Sequence, residues 1–174
     1  TQVTQQRISL ALAQFVRSMS SYRSKYDRAF VGGQADFASV LTAQEERGRQ
    51  IFTGVGRCDG CHATDAQALN NINNNGLDAT VTDPGAGGGR FKAPSLRNIA
   101  LRAPYMHDGR FTTLRQVVEH YDNGVQANPN LAPALTAANG QPRRLNLSEA
   151  DKQALVAFMG MLTDEASISE PKFS

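Results

Sequence analysis

Tryptophan is absent from the 174 residues, aromatic side chains make up only 7% of them, and cysteine occurs twice, as Cys58 and Cys61. Two cysteines are too few for a disulfide framework in a domain this large, so their spacing is read first as chemistry. No basic run exceeds the pair Arg143-Arg144 and the formal charge is +2, which predicts no nucleic-acid partner. No apolar run approaches the roughly 18 residues that a membrane span needs. The opening TQVTQQRISL lacks the charged head, apolar stretch and cleavage site of a signal peptide, which predicts a soluble chain from which any targeting segment has already gone.

What is present suffices for a core: 40% hydrophobic and 20% charged residues. At roughly 150 residues per domain, the length predicts one domain, or one with an appended arm. Near the N-terminus Ile8, Leu12, Phe15, Val16 and Met19 form a one-sided helical stripe in search of a partner surface. Gly32-Gly33 breaks the pattern, and Thr42 with Glu45 is a capping-box signature for a helix reaching to about Phe52. Residues 64–89 carry five Asn between positions 70 and 75, then Asp83-Pro84-Gly85 and Gly87-Gly88-Gly89, and read as a long surface loop. A loop of that length needs something else to organise it, and a large prosthetic group would do so.

Thr113 and Gln116 cap a short helix whose stripe is Leu114, Val117, Val118 and Tyr121, with His120 turned about 120° from Leu114 into solvent. Ser148 caps a last helix with Ala154, Leu155, Phe158, Met159 and Leu162 on its apolar face. No segment of strand period competes, and the fold class is mostly α.

Cys58-Asp59-Gly60-Cys61-His62 is a C-x-x-C-H sequence, the attachment signature of c-type haem, in which two thiols join the haem vinyl groups and the imidazole ligates iron. A thioredoxin-like redox pair would want a βαβ setting, and a zinc site would want two further ligands. Neither context is present. With His62 as proximal ligand, the opposite position falls to Met19, Met106, Met159, Met161, His107, His120 or a tyrosine. Met19, Met159 and Met161 lie on helical stripes and are read as core, which leaves the stretch from Met106 to Tyr121.

In that stretch Pro94-Ser95-Leu96-Arg97-Asn98, then Pro104-Tyr105-Met106-His107-Asp108-Gly109, resemble the bacterial dihaem cytochrome c peroxidase and MauG family. The likeness covers nearly the whole chain and fits the second, C-terminal haem domain of that family. It implies a cytochrome c-like helical domain around one covalently bound haem c, over residues 34–174. Residues 1–33 are then the N-terminal helix and linker of the interdomain segment, and the chain is expected to be a C-terminal fragment.

In the family's peroxidases the residue fourteen after the His of H-D-G is a Met that completes a His/Met haem, and in MauG-type enzymes it is Tyr. Here it is Tyr121. The resemblance and the helical period both favour Tyr121 over Met106, against the alternative of a buried tyrosine bonded to a propionate or a carbonyl. Arg97 is expected either at the haem edge or in an ion pair. His107 is expected either in the distal pocket or pinning the Asp108-Gly109 turn. The carbonyls of Arg102 and Pro104 match positions that help bind Ca2+ between the two haem domains.

The function implied is single-electron transfer within a hydrogen peroxide-linked enzyme, with an N-terminal haem domain, of the same protein or a separate chain, and a redox protein donor or acceptor as partners. A stand-alone monohaem carrier, or the cytochrome module of a dehydrogenase, is the alternative. A third reading has the isolated chain binding peroxide itself. The compartment implied is the periplasm or another extracytoplasmic one.

Overall fold

The computed structural model describes residues 2–31 and 33–171, so Gly32 of the expected Gly32-Gly33 break lies outside the described residues. Helices begin where the sequence supplies a side-chain acceptor for first-turn amides that have no partner within the helix. Thr4 accepts from the Arg7 amide to open α1, Gln5–Ser18. Asp36 caps the single-turn α2, Phe37–Val40. Thr42 and Glu45 form the expected reciprocal capping box on α3, Ala43–Thr53, and Thr113 and Gln116 form another on α4, Leu114–Glu119. Ser148 opens α5, Glu149–Gly160, and Asp164 opens the short α6, Glu165–Ile168. Among the described residues no helix is long and apolar enough to cross a membrane.

The core is the crossing of α3 and α5. Gly48 sits at the contact, where a Cβ would fall 2.0 Å from the Ala154 carbonyl oxygen and 2.8 Å from Phe158 Cβ, so a side chain would bar this approach. Around it Ile51, Phe52, Leu155, Phe158 and Leu162 are buried, with the rings of Phe52 and Phe158 5.1 Å apart. Leu114 and Val118 of α4 pack onto the same cluster, as do Leu96, Ile99 and Tyr105 from the loops. Met159 and Met161 belong to this core, as their spacing predicts.

Among the described residues, strand is confined to two antiparallel ladders of two residues a side. β1, Phe30–Val31, pairs with β2, Gln34–Ala35, and β3, Ile72–Asn73, pairs with β4, Phe91–Lys92, in the register Ile72 to Lys92. The second ladder closes residues 74–90 into one loop.

Two expectations differ from what is found. The apolar stripe of α1 exists, but no residue of α1 is buried, and Met19, expected in a core, is 48% exposed. The boundary expected at residue 33 also falls inside the packed unit. Asp164, fully buried, accepts from the amides of Tyr22 and Arg23 at 3.0 Å each, Ser24 and Ala29 are buried, and the Tyr26 ring meets Phe158 edge-on at 6.2 Å. Packing divides after α1, and residues 21–31 belong with the body.

Candidate haem site

Arg57, in the left-handed region at φ 51°, turns the chain into a 3-10 turn over Cys58–Gly60. The amides of Cys61 and His62 both donate to the Cys58 carbonyl, at 3.1 and 2.9 Å, so both thiols and the imidazole issue from one turn. Gly56 leaves room for the first thiol, since a Cβ there would come within 3.1 Å of Cys58 Sγ. Burial pushes the Cys58 thiol up to about 12 and raises that of Cys61, so both stay protonated at neutral pH. A redox-active pair wants a lowered thiol pKa, and burial here acts in the opposite direction. Among the described residues no group of three or more His, Cys, Asp or Glu could hold a metal ion.

His62 Nδ1 lies 3.0 Å from the Pro94 carbonyl oxygen. A carbonyl can only accept, so Nδ1 carries the hydrogen and the Nε2 lone pair is left for a metal. Burial pushes the His62 pKa down, which favours the neutral, ligating form.

The segment after Pro94 straps the neighbouring loop in place, one residue at a time. Ser95 Oγ donates to the Ala66 carbonyl, and the Leu96 amide donates to the Gln67 carbonyl at 3.2 Å. Arg97 Nε donates to the Asp65 carbonyl at 2.8 Å, and its two terminal nitrogens reach both oxygens of Asp27 at 2.8 and 2.7 Å. Asn98 Oδ1 takes the Asp164 amide at 2.7 Å. Arg97 makes an ion pair with Asp27, its guanidinium fork taken by that carboxylate and the Asp65 carbonyl.

On the other side α4 does not continue as an α-helix. It widens into a π-helical turn over His120–Gly124, a form that concentrates at functional sites. His120, expected in solvent on an α-helical period, is thereby buried, with Nε2 3.1 Å from the Asn75 carbonyl oxygen. Tyr121 is half-buried, and burial pushes its phenol up to about 12. The phenol lies near the Asn75 side chain, and the Cys58 and Cys61 thiols lie near enough to act on its charge. Met106, at φ 73°, has its sulfur 3.4 Å from Asn75 Nδ2. Both alternatives for the position opposite His62 therefore converge on Asn75.

His107 is exposed and stacks on Phe91, with centroids 3.8 Å apart and planes at 10°. It does not pin the turn beside it, which is closed by Asp108 accepting from the Arg110 amide at 3.1 Å and from Arg110 Nε at 2.7 Å. Arg102 and Pro104 are exposed on the turn that follows the 3-10 segment Ile99–Leu101.

The asparagine run, read from sequence only as loop composition, supplies much of the wall. Asn73 Nδ2 points at Cys61 Sγ at 3.4 Å, and buried Asn74 ties the Gly88 carbonyl to the Gly76 amide. Asn71 Oδ1, beside Cys61, is buried without a hydrogen-bond partner, the mark of a pocket that expects a bound group. Two thiols and a correctly oriented imidazole on one turn, next to an orphaned polar atom, fit covalently attached haem. The density of Asn between 70 and 75 was the one available signal for this wall.

A family model described as cytochrome c matches residues 45–163. Methylamine utilization protein MauG of Methylorubrum extorquens is 31% identical over 95% of this chain and 46% of its own length. Cytochrome c551 peroxidase of Nitrosomonas europaea is also 31% identical, over 94% and 46%. A solved MauG-like protein associated with microbial copper homeostasis superposes at a TM-score of 0.78 and 31% identity, over 99% of this chain and 61% of that one. The chain spans about half the length of the curated relatives it matches.

Proposed function

The chain belongs to the cytochrome c family, whose members carry covalently bound haem c, and on that premise we propose that it is an electron-relay domain of a two-haem peroxidase or MauG-like oxidase. In this reading Cys58 and Cys61 anchor one haem through thioethers, His62 ligates the iron, and Tyr121 stands opposite. The observation that carries it is the His62 contact to Pro94 on the turn that also bears both thiols. When bound, the haem supplies one-electron chemistry at its iron, at a potential set by the two axial ligands.

The protein's part is positioning. The Pro94 carbonyl fixes the imidazole tautomer and its ring angle, and the strap from Ser95 to Asn98 holds the loop that Pro94 faces. Tyr121, an oxygen donor, would favour the ferric state, and Met106 in its place would favour the ferrous state. The exposed stripe of α1 is read as the seat of a second haem domain, in the same protein or a separate chain, and a redox protein as donor or acceptor completes the partners. A Ca2+ ion held partly by the Arg102 and Pro104 carbonyls, and an extracytoplasmic location, belong to the same reading.

A pyridine haemochrome assay on denatured, acid-acetone-washed protein tests the foundation. Retained colour with thioether-haem bands is expected, and a colourless residue would refute it. Low-temperature EPR of Tyr121→Phe and Met106→Leu then decides the ligand opposite His62: only the true ligand's variant changes the ferric signal.

A further inference from the structure

The π-helical turn is unusual enough to need a holder, and Asp122 is that holder. Its side chain is fully buried. Oδ1 accepts from the Leu147 amide at 2.9 Å, and Oδ2 accepts from Lys152 Nζ and from Asn123 Nδ2, each at 2.8 Å. Its main-chain carbonyl accepts from the Leu145 amide at 3.0 Å. Lys152, on α5, also reaches Glu119 at 2.6 Å, so one ammonium clamps the last residue of α4 and the middle of the π turn to the same helix.

This arrangement selects a register. A change of register would turn the carboxylate relative to Leu147 and Lys152, and a buried carboxylate that loses its counter-charge is costly. The residue before Asp122 is Tyr121. We propose that Asp122, clamped by Lys152, is the positioning residue that fixes the π-turn register in which Tyr121 reaches the side of the molecule bearing Cys58 and Cys61. The inference rests on the reading of Tyr121 as the ligand opposite His62. It adds that the ligand is presented by a buried ion pair with α5 and not by the period of its own helix.

The test is low-temperature EPR and optical spectroscopy of the ferric, haem-loaded full chain, with thermal midpoints measured alongside, in Tyr121→Phe, Asp122→Asn and Lys152→Met. Tyr121→Phe is expected to abolish the native signal. Asp122→Asn and Lys152→Met are each expected to split it, the ratio of native to second species falling by about tenfold or more. Lys152→Arg, which can remake the pair, is expected to restore it.

Asp122→Asn and Lys152→Met proteins that melt earlier yet keep a single native signal would overturn the proposal, since a merely structural pair would behave that way. If Asp122→Asn does not fold, Lys152→Met decides alone. A native signal in Tyr121→Phe would bring down the ligand reading and this inference with it. Loss of that signal, with an unchanged one in the other two variants, would bring down the positioning role only.

Discussion

Replacing Gly48 by Ala adds a single methyl group where α3 and α5 cross. On an open helix face the change would be favourable, because Ala exceeds Gly in helix propensity by about 1 kcal/mol. At Gly48 the new Cβ would stand 2.0 Å from the Ala154 carbonyl oxygen, a main-chain atom that no rotamer change can move. Relief requires the helices to part by roughly 1 Å, and a gap of that order forfeits a quarter to a half of each dispersion contact along the seam. The seam includes Ile51, Phe52, Leu155 and Phe158, so the net loss is about 2–4 kcal/mol after the propensity gain. For a chain of this length that lowers the thermal midpoint by about 5–15 °C. Gly160 is the internal control: it ends α5 with nothing within 4 Å of its would-be Cβ, and Gly160→Ala should be neutral or slightly stabilising. Urea and thermal denaturation of both variants, at equal haem loading, make the comparison. A Gly48→Ala protein as stable as the parent would refute the claim that this crossing is set by backbone contact.

Arg97→Met should cost about 2 kcal/mol in urea denaturation, less than a fully buried pair, because both side chains keep some solvent contact. Burial alone would raise the Asp27 pKa, but the bonds from Arg97 and Ser24 outweigh it and hold the carboxyl below its ordinary value. The stability that this depression contributes is present above about pH 4 and lost as pH falls through the lowered folded pKa. Asp27→Asn should therefore flatten the acid decline of the urea midpoint, and an unchanged decline would deny the pair its role. Asp164→Ala removes the acceptor for the Tyr22, Arg23 and Ser167 amides and should cost about 2–4 kcal/mol, read by calorimetry and by faster hydrogen exchange at those amides. Thr113→Ala takes the capping hydroxyl from α4 and should cost about 1 kcal/mol in the same denaturation assay.

The helices were legible because their signals are local. Thr42 with Glu45, Thr113 with Gln116, and Ser148 each announce a start within a span of three residues, and the apolar faces follow at helical period. The haem-attachment turn is likewise five consecutive residues. What escaped depends on partners far along the chain. Arg97 meets an aspartate 70 positions away, so that ion pair cannot be read from its neighbours. The π turn is tied by Asp122 to Leu147, 25 residues on, and no composition marks it, so the α-helical period alone points His120 to solvent. The Asn run has the makeup of any surface loop, and only the fold shows that its amides face sulfur, carbonyls and the phenol.

The Arg97 guanidinium gathers residues 27, 65 and 97 to one point, and this bears on where the domain can be cut. A fragment starting at residue 34 would strand that cation without its carboxylate and slacken the strap behind His62. Cleavage just after Ser18 would sever only a helix that contributes no buried residue. The smallest self-sufficient piece therefore starts near Ser20, upstream of the first hairpin, and trimming from the N-terminus should show one tolerant stretch ending in a sharp edge.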